Sequence, residues 1–227
     1  MTKKTWLIFI AICVAAFAGL FLYSKKDSVN VSNINGTQIN TTGSESGGLK
    51  DVVFGNEAAK TTLIEYGDYQ CPACHQIHPT VKTIVEENAP SLRFVFRNFP
   101  ISEKHPNARA AAASAEAAGT FGKFWEMHNA LYERYDEWAN ASGDERTKVF
   151  KSLAKDIGIN VDEFMKTLEE KSSEINKKIN YDKALGLKMG VDATPTFYLN
   201  GRKLEGDDLK TTDALKKVIV SEINKNK

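Results

Sequence analysis

The sequence has few cysteines, no excess of charge of either sign and only one long hydrophobic run. Three cysteines occur in 227 residues, and Cys13 lies inside that run, so the rest of the chain has only Cys71 and Cys74. Such a chain is not a scaffold held together by disulfides, and its one remaining pair is available for chemistry. The net charge of +1 does not favour nucleic-acid binding, and 42% hydrophobic residues suffice for a full core.

The hydrophobic run covers residues 6–23. As a helix it would be about 27 Å long, which is close to the hydrocarbon thickness of a bilayer. It predicts a single transmembrane anchor, preceded by a short cytoplasmic tail at residues 1–5. A cleaved signal peptide is the alternative, but the apolar run continues beyond the small-residue pattern at residues 16–18, which favours an uncleaved signal-anchor. The numbers of positive charges on the two sides of the run are nearly equal, so they do not decide its orientation in the membrane. We infer the orientation from the redox chemistry described below.

The segment at residues 24–48 is rich in Ser, Asn, Thr and Gly and poor in large apolar side chains. This composition is typical of a flexible linker. From residue 49 to residue 227 the chain has the composition of one globular domain. The sequence therefore predicts an anchor, a linker and one domain.

Two cysteines lie where a predicted strand gives way to a predicted helix. Thr61–Tyr66 is short, β-branched and aromatic, and helical spacing of apolar residues begins at Pro72. Pro72 suits the first helical position, which places Cys71 at the N-cap. A thiol there is exposed to unpaired amides and the helix dipole, which lower its pKa from about 8.5 to about 3.5–7.5. Cys74, inside the first turn, is more shielded, so Cys71 is the predicted attacked sulfur and Cys74 the resolving one.

Three other interpretations of the same residues remain open. The sequence from Cys71 to His75 matches the Cys-x-x-Cys-His pattern of c-type haem attachment, although Pro72 at a strand-to-helix junction is unlike an attachment loop. His75 and His78 could complete a zinc site, but they lack the usual spacing. The third interpretation is a structural disulfide between Cys71 and Cys74.

The order of predicted elements is βαβ, then helices, then a hairpin and a last helix. Asn200-Gly201 between two short apolar runs is a strong hairpin signal. Pro79 should kink the first helix. The βαβ unit comprises Thr61–Tyr66, Pro72–Asn88 and Ser91–Asn98; an all-helical insertion follows at about residues 104–189, with helices at Ala108–Ala118, Phe121–Trp138, Arg146–Ile157, Val161–Lys171 and Ser173–Met189; the hairpin strands are Thr196–Leu199 and Arg202–Glu205, and the last helix is Asp207–Asn224.

This order, with Cys-x-x-Cys at the first strand-to-helix turn and Thr-Pro before the hairpin, resembles the thioredoxin fold, an α/β class. The helical insertion makes it similar to the DsbA family of thiol–disulfide oxidoreductases, and the N-terminal run to its membrane-anchored members. The resemblance covers residues 49–227. Its motifs are Glu-Tyr-Gly-Asp-Tyr-Gln-Cys-Pro-Ala-Cys and Gly-Val-Asp-Ala-Thr-Pro-Thr-Phe.

The resemblance implies roles for further residues. Pro195 matches the family's cis-proline beside the active-site cysteines, and the backbone of Thr194 would bind an extended peptide substrate; an ordinary trans turn is the alternative. Glu65 matches the buried acid that accepts a proton from the resolving thiol, unless it is an exposed carboxylate at the strand end. The dipeptide Pro72-Ala73 departs from the Pro-His of the strongest oxidases, which suggests a milder potential.

The sequence thus predicts an extracytoplasmic oxidoreductase that introduces disulfides into exported proteins. By resemblance it needs no cofactor or metal beyond the redox-active disulfide Cys71–Cys74, and a quinone-linked membrane protein would reoxidise it. Its substrates would be unfolded or reduced exported proteins, and the catalytic domain would lie outside a single-pass anchor in the cell membrane. A reductase or isomerase of the same fold, a peptide-binding chaperone module and a haem-binding electron carrier are the alternatives.

Overall fold

The computed structural model describes residues 3–26 and 29–226 of the chain. The first helix, α1, covers Lys3–Lys26. Within the described part of the chain, no helix is long and apolar enough to cross a membrane. The anchor predicted at residues 6–23 therefore stays a prediction. Parts of the predicted tail (1–5), linker (24–48) and domain (49–227) lie outside the described residues.

A five-stranded mixed sheet forms the centre of the domain, in the order β1-β3-β2-β4-β5. β2 and β3 are parallel and the other neighbours are antiparallel. β1 is an edge strand that the sequence analysis does not predict, because it is only three residues long. The strands are β1 Val53–Gly55, β2 Thr61–Gly67, β3 Leu92–Asn98, β4 Thr196–Leu199 and β5 Arg202–Lys203.

Strand β2 lies in the middle of the sheet, and all seven of its residues are buried. Its β-branched and aromatic side chains suit a strand that is covered on both faces. Helix α2 (Pro72–Glu87) makes the crossover from β2 to the parallel strand β3. The helix runs without a break through Pro79. This crossover places the beginning of α2 at the carboxyl end of β2.

The helical insertion separates β3 from β4, as predicted. Its predicted helix at Phe121–Trp138 is two helices, because the backbone leaves the helical conformation at Arg134 (φ −111°, ψ 28°). A capping box between Ser142 and Glu145 begins the next helix. The insertion contains α3 Ala108–Gly119, α4 Phe124–Glu133, α5 Tyr135–Trp138, α6 Gly143–Asp156, α7 Val161–Glu170 and α8 Ser172–Lys188; a 3₁₀ turn at Gly206–Leu209 and helix α9 Thr212–Lys225 follow the hairpin.

Residues 29–52 form an N-terminal strap that lies against the domain. The sequence predicts a flexible linker at residues 24–48, whereas residues 29–48 of the structure belong to this strap. The strap has few apolar side chains, but they pack on the cluster around Tyr66 and Leu185. Its backbone carbonyls also accept hydrogen bonds from basic side chains of the domain, which polar composition alone does not reveal. The apolar strap residues in this cluster are Val29, Val31, Ile34 and Ile39, and the accepting carbonyls are those of Val31, Ser32 and Ile34 for Lys188 and of Gly36 and Gln38 for Arg97.

A cluster of buried charged side chains joins the strap to β3 and α8. We call it the charged cluster; its members are Asp51, Arg97, Glu116, Lys178 and Asp182, all at most 4% exposed. Arg97 and Lys178 lie 2.8 Å and 3.1 Å from the Asp51 carboxylate. Lys178 also contacts Asp182 at 2.6 Å. Burial alone would raise the pKa of Asp51, but the charges of Lys178 and Arg97 lower it to about 2.

Candidate active site

Cys71 lies at the N-cap of α2, where the sequence places it. Its backbone is extended (φ −72°, ψ 123°), and Pro72 follows at the first helical position. Cys71 is 8% exposed and Cys74 is fully buried, and both are free thiols. The exposed side chains of Pro72 and Ala73 separate them. One sulfur is therefore reachable from solvent and the other is not.

The Cys71 thiol is held in its ionised form by hydrogen bonds. The largest contribution comes from the Cys74 thiol, and the backbone amides of Cys74 and Ala73 add to it. These donors outweigh the opposing effect of burial and lower the pKa of Cys71 from 9.0 to about 5. Cys71 is accordingly a thiolate at neutral pH when the pair is reduced.

Cys74 and Glu65 are shifted in the opposite direction. Burial, the hydrogen bond that Cys74 gives to Cys71 and the charge of Glu65 raise the pKa of Cys74 well above 9.0. Burial and the nearby Cys71 raise the pKa of Glu65 from 4.5 to about 8. Glu65 lies at the middle of β2, opposite Phe96 and Phe197 of the neighbouring strands. Glu65 is only 4% exposed, so the alternative interpretation of it as an exposed carboxylate at the strand end is wrong.

The loop before β4 lies directly over Cys71. The Thr194–Pro195 peptide bond is cis, and the Cys71 Sγ lies 3.4 Å from the Thr194 carbonyl oxygen. Residues 123 positions apart thus meet at one sulfur. The structure brings Cys71, Cys74, Glu65, Thr194 and Pro195 together, as the resemblance implies.

Asp68 holds the cysteine loop in place, although no sequence motif singles it out. Its side chain is fully buried, and its carboxylate accepts hydrogen bonds from the Gln70 amide, the Ile101 amide and His105 Nδ1, each at 2.8 Å. These bonds hold the loop between β2 and α2 against the segment after β3. Asp68 therefore positions the cysteine loop through its side chain, and its carbonyl also accepts a hydrogen bond from the Cys71 amide at 3.0 Å.

Gln70 connects the cysteine loop to the helical insertion. Its Nε2 donates to the Ala139 carbonyl at 2.6 Å, and its Oε1 accepts from the Asn107 amide at 2.5 Å. The Asn107 side chain in turn donates to carbonyls of residues 138, 139 and 141. Tyr135 donates its hydroxyl to the Gln70 carbonyl at 2.8 Å. No local sequence pattern reveals these contacts, because the partners are 31 to 69 positions apart in the chain.

The two histidines after the cysteines have different surroundings. His78 is buried, stacks on Tyr132 with ring centroids 4.6 Å apart, and its pKa is lowered to about 4 by burial. It is a packing residue. His75 is half-buried and stacks on Tyr135. Among residues 3–26 and 29–226, no three His, Cys, Asp or Glu side chains lie together as a metal site would require.

Comparison with known proteins decides the family. A family model described as "Thioredoxin" matches residues 48–220. The chain belongs to the thioredoxin family. Its fold is that of the DsbA-like thiol–disulfide oxidoreductases, which confirms the thioredoxin-like fold predicted from the sequence.

Solved structures of this type superpose on most of the thioredoxin-family chain. A thioredoxin-like oxidoreductase from Silicibacter pomeroyi DSS-3 is 26% identical, with a TM-score of 0.61 over 77% of this chain and 92% of its own. BdbD from Bacillus subtilis is 24% identical, with a TM-score of 0.65 over 77% of this chain and 93% of its own. The thiol-disulfide exchange protein alpha-DsbA2 from Wolbachia pipientis is 22% identical, with a TM-score of 0.64 over 75% and 86%. The last two likenesses show the fold.

Curated relatives of this thioredoxin-family chain are much longer proteins. A Na(+)/H(+) antiporter NhaA 1 from Salinispora arenicola is 34% identical over 69% of this chain and 22% of its own length. An antiporter NhaA from Herminiimonas arsenicoxydans is 30% identical over 73% of this chain and 25% of its own. The chain spans about a quarter or less of these relatives, so their antiport activity does not pass to it.

Proposed function

We propose that this protein is an extracytoplasmic thiol–disulfide oxidoreductase that introduces disulfides into exported proteins. The pair Cys71–Cys74 would accept two electrons from a substrate dithiol and pass them to a membrane partner. The observation that carries the proposal is the opposite shift of the two thiols, with a pKa of about 5 for Cys71 and a strongly raised pKa for Cys74.

The low pKa of Cys71 supports the proposed flow of electrons from the substrate to this protein. Stabilising the thiolate stabilises the reduced protein relative to its disulfide form. A disulfide whose reduced form is stabilised gives up its bond to a substrate more readily, and is therefore a stronger oxidant. The free energy available for oxidation is larger than it would be for a pair of ordinary thiols.

The proposed reaction has two exchange steps. A substrate thiolate attacks Cys71 Sγ; the new substrate–Cys71 bond forms while the Cys71–Cys74 bond breaks, and Cys74 takes the bonding electron pair. Because the pKa of Cys74 is raised, the departing sulfur takes up a proton, and Glu65 supplies it, being protonated at pH 7 with a pKa of about 8. A second substrate thiolate then attacks the substrate sulfur of the mixed disulfide and releases Cys71 as a thiolate.

Low basicity makes Cys71 a good leaving group in that second step. The substrate leaves with a new disulfide, and Cys71 and Cys74 remain reduced by two electrons. Glu65 regains its proton from solvent. Thr194, beside Cys71, would hold the extended substrate through its backbone while the exchange takes place.

The location and the reoxidising partner are also part of the proposal. Disulfides persist in oxidising compartments outside the cytoplasm, which supports a domain on the outer side of the cell membrane that a single-pass anchor at residues 6–23 would hold there. A quinone-linked membrane protein would reoxidise Cys71 and Cys74. No bound cofactor or metal is required, because the disulfide itself carries the electrons.

The test is the reduction potential of the full chain in detergent, equilibrated with ratios of reduced to oxidised glutathione. A potential of about −120 to −180 mV supports an oxidase or an isomerase. A potential of about −270 mV contradicts the proposal and indicates a reductase. Oxidation of a reduced dithiol peptide separates the remaining alternatives, because an isomerase rearranges a mispaired disulfide faster than it makes a new one, and a chaperone module does neither.

A further inference from the structure

A pair of stacked aromatic rings lies beside Cys71 and takes no part in the thiol exchange. The rings are those of His75 and Tyr135, with centroids 4.4 Å apart and planes 12° from parallel. His75 belongs to the first turn of α2 and Tyr135 begins α5 of the helical insertion. Both side chains are half-buried, so part of each ring remains open to solvent. We call this pair the aromatic shelf.

Each shelf residue donates a hydrogen bond to a backbone carbonyl at or next to the reactive cysteine. The amide of His75 donates to the Cys71 carbonyl at 3.0 Å. The Tyr135 hydroxyl donates to the carbonyl of Gln70, the residue immediately before Cys71, at 2.8 Å. After burial, the charge of Cys71 is the largest influence that raises the pKa of Tyr135, which agrees with the short distance between them.

The shelf is held rigidly. Trp138, at the end of α5, is fully buried and donates its indole N–H to the Leu131 carbonyl at 2.8 Å. The side-chain amides of Gln70 and Asn107 donate to the carbonyls of Ala139 and Trp138, respectively. His75 Nδ1 is buried and has no hydrogen-bond partner within the described ranges, so stacking on Tyr135 fixes the plane of the imidazole. A surface that is already in place loses little conformational entropy when it binds.

Cys71 lies near the shelf and also contacts the loop that precedes β4. On one side is the Thr194 carbonyl, 3.4 Å from the sulfur. Asp192 and Ala193, just before it, are exposed, so this loop is open to an approaching chain. A peptide whose cysteine reaches Cys71 while its backbone follows the loop has its neighbouring side chains directed towards one wall or the other.

We propose that the aromatic shelf binds the side chain next to the attacking cysteine of the substrate and favours planar side chains there. The inference rests on the proposed function and specifies which protein substrates that site prefers. Offset or edge contacts between aromatic rings add to the effect of buried area alone, and a single pair changes an equilibrium roughly two- to tenfold. The same factor is expected in the rate constant for attack if the contact is made in the transition state.

The experiment compares two reduced dithiol peptides that differ in one residue. In one the residue beside the attacking cysteine is Tyr, and in the other it is Ala. The oxidised full chain in detergent reacts with each, and the ratio of the two second-order rate constants is measured. A ratio of roughly two to ten in favour of the Tyr peptide is expected.

Three variants locate the source of that ratio. Tyr135→Ala should bring it to about one, since the larger ring is lost, while Tyr135→Phe keeps the ring, loses only the bond to Gln70 and should retain most of the ratio. His75→Ala approaches the stack from its other side and should lower the ratio as well. Phe121→Ala is the matched control, because Phe121 is also a half-buried aromatic residue of the insertion. It follows the C-terminal end of α3, and Asn107, which is bonded to Gln70, lies at the other end of this helix, about 18 Å away. This control should leave the ratio unchanged.

Equal rates for the two peptides in the unmodified protein would overturn the inference and leave the proposed function standing. A ratio retained in Tyr135→Ala would also overturn it, because the preference would then come from another surface. If neither peptide is oxidised, the proposed function itself is wrong. A ratio that falls equally in Tyr135→Phe and Tyr135→Ala would assign the effect to the Gln70 bond and likewise reject a binding role for the ring.

Discussion

The charged cluster, which joins the strap to β3 and α8, and the cysteine site at the end of β2 are two groups of buried ionisable side chains with opposite character. In the charged cluster, Arg97 and Lys178 each contact the Asp51 carboxylate and Lys178 also contacts Asp182, so these four charges have partners of opposite sign. Around Cys71, the ion that burial would suppress is stabilised by thiol and amide donors rather than by a cation. Paired charges fix a structure, whereas an ion held by neutral donors remains able to react.

The pKa values reflect this difference. Asp51 is driven to about 2 and stays ionised throughout the neutral range. Cys71 and Glu65, with pKa values of about 5 and 8, lie on either side of pH 7, so small changes of charge at one alter the protonation of the other. Buried carboxylates thus serve structure at one place and proton transfer at another, according to whether a cation is within reach.

The largest predicted effect is on turnover. Cys71→Ser should reduce the oxidation of a dithiol peptide to the uncatalysed rate, because no disulfide can form. The rate of disulfide appearance measures this directly. Cys74→Ser is the matched control: it should also stop turnover, yet keep a thiolate that reacts with an alkylating reagent at pH 7. Peptide oxidation by Cys71→Ser would show that the pair is not the redox centre.

The charged cluster should respond in stability instead. Lys178→Met leaves the carboxylates of Asp51 and Asp182 buried without their common cation, and should lower the free energy of unfolding by about 3–5 kcal/mol. Urea unfolding of the full chain in detergent measures it. The pKa of the Cys71 thiol in the folded variant should stay near its unmodified value. A loss below about 1 kcal/mol would mean that the cluster does not hold the strap to the domain.

Glu65→Gln should separate proton transfer from structure. Without an acid to protonate Cys74, exchange with peptide should slow by about tenfold or more at pH 7. In the unmodified protein the rate should change through about pH 8, where Glu65 titrates, and the variant should lack that step. A rate profile with the same inflection in both proteins would remove Glu65 from the mechanism.

The same substitution has an effect on stability whose sign can be stated. The folded-state pKa of Glu65 is raised from 4.5 to about 8, so its contribution to stability is complete below pH 4.5 and is lost as the pH rises through 8. Above pH 8 the Gln variant should therefore unfold at a higher urea concentration than the unmodified protein. Equal midpoints at pH 9 would indicate that Glu65 is ionised at little cost.

The reduced and oxidised proteins should differ in stability with pH. The folded-state pKa of Cys71 is lowered from 9.0 to about 5, so its contribution to the reduced form is complete above pH 9 and is lost as the pH falls through 5. Between pH 5 and pH 9 the unfolding free energy of the reduced protein, minus that of the oxidised protein, should increase by roughly 1 kcal/mol for each unit by which the pH rises. Using Glu65→Gln for both forms removes the opposing titration of Glu65. A difference that is constant from pH 5 to 9 would contradict an ionised Cys71.

The smallest predicted effect comes from an exposed lysine of the same helix as Lys178. Lys188 donates to three carbonyls of the strap at 2.6–2.9 Å, but it remains exposed to water. Lys188→Met should cost about 1 kcal/mol or less in urea unfolding. A loss as large as that of Lys178→Met would indicate that the strap depends on its backbone carbonyls more than on the buried charges.

Local patterns account for much of the fold. Alternation and β-branching predict β2 and β3, Asn200-Gly201 predicts the hairpin, and Pro72 after Cys71 predicts the beginning of α2; each depends on neighbours in the chain. The resemblance supplies the approach of Thr194 to Cys71. Strand β1 has only three residues, which is too few to show the alternation of apolar and polar side chains that would predict a strand. It ends at Gly55, which has a left-handed backbone conformation.

Features built from distant residues are not visible in the sequence. The strap looks like a linker because its contacts are made by backbone carbonyls, with partners such as Arg97 some 60 positions away. Asp68 looks like a surface residue because its partners Ile101 and His105 come from the segment after β3. Tyr135 carries no motif that connects it with Gln70.

The most direct test of the account is a titration of the Cys71 thiol in the reduced full chain, followed by the ultraviolet absorbance of the thiolate with Cys71→Ser as the blank. We expect a pKa of about 5 for the Cys71 thiol, which would then be fully ionised at pH 7. A pKa of about 8.5, the value of an ordinary cysteine, would contradict it.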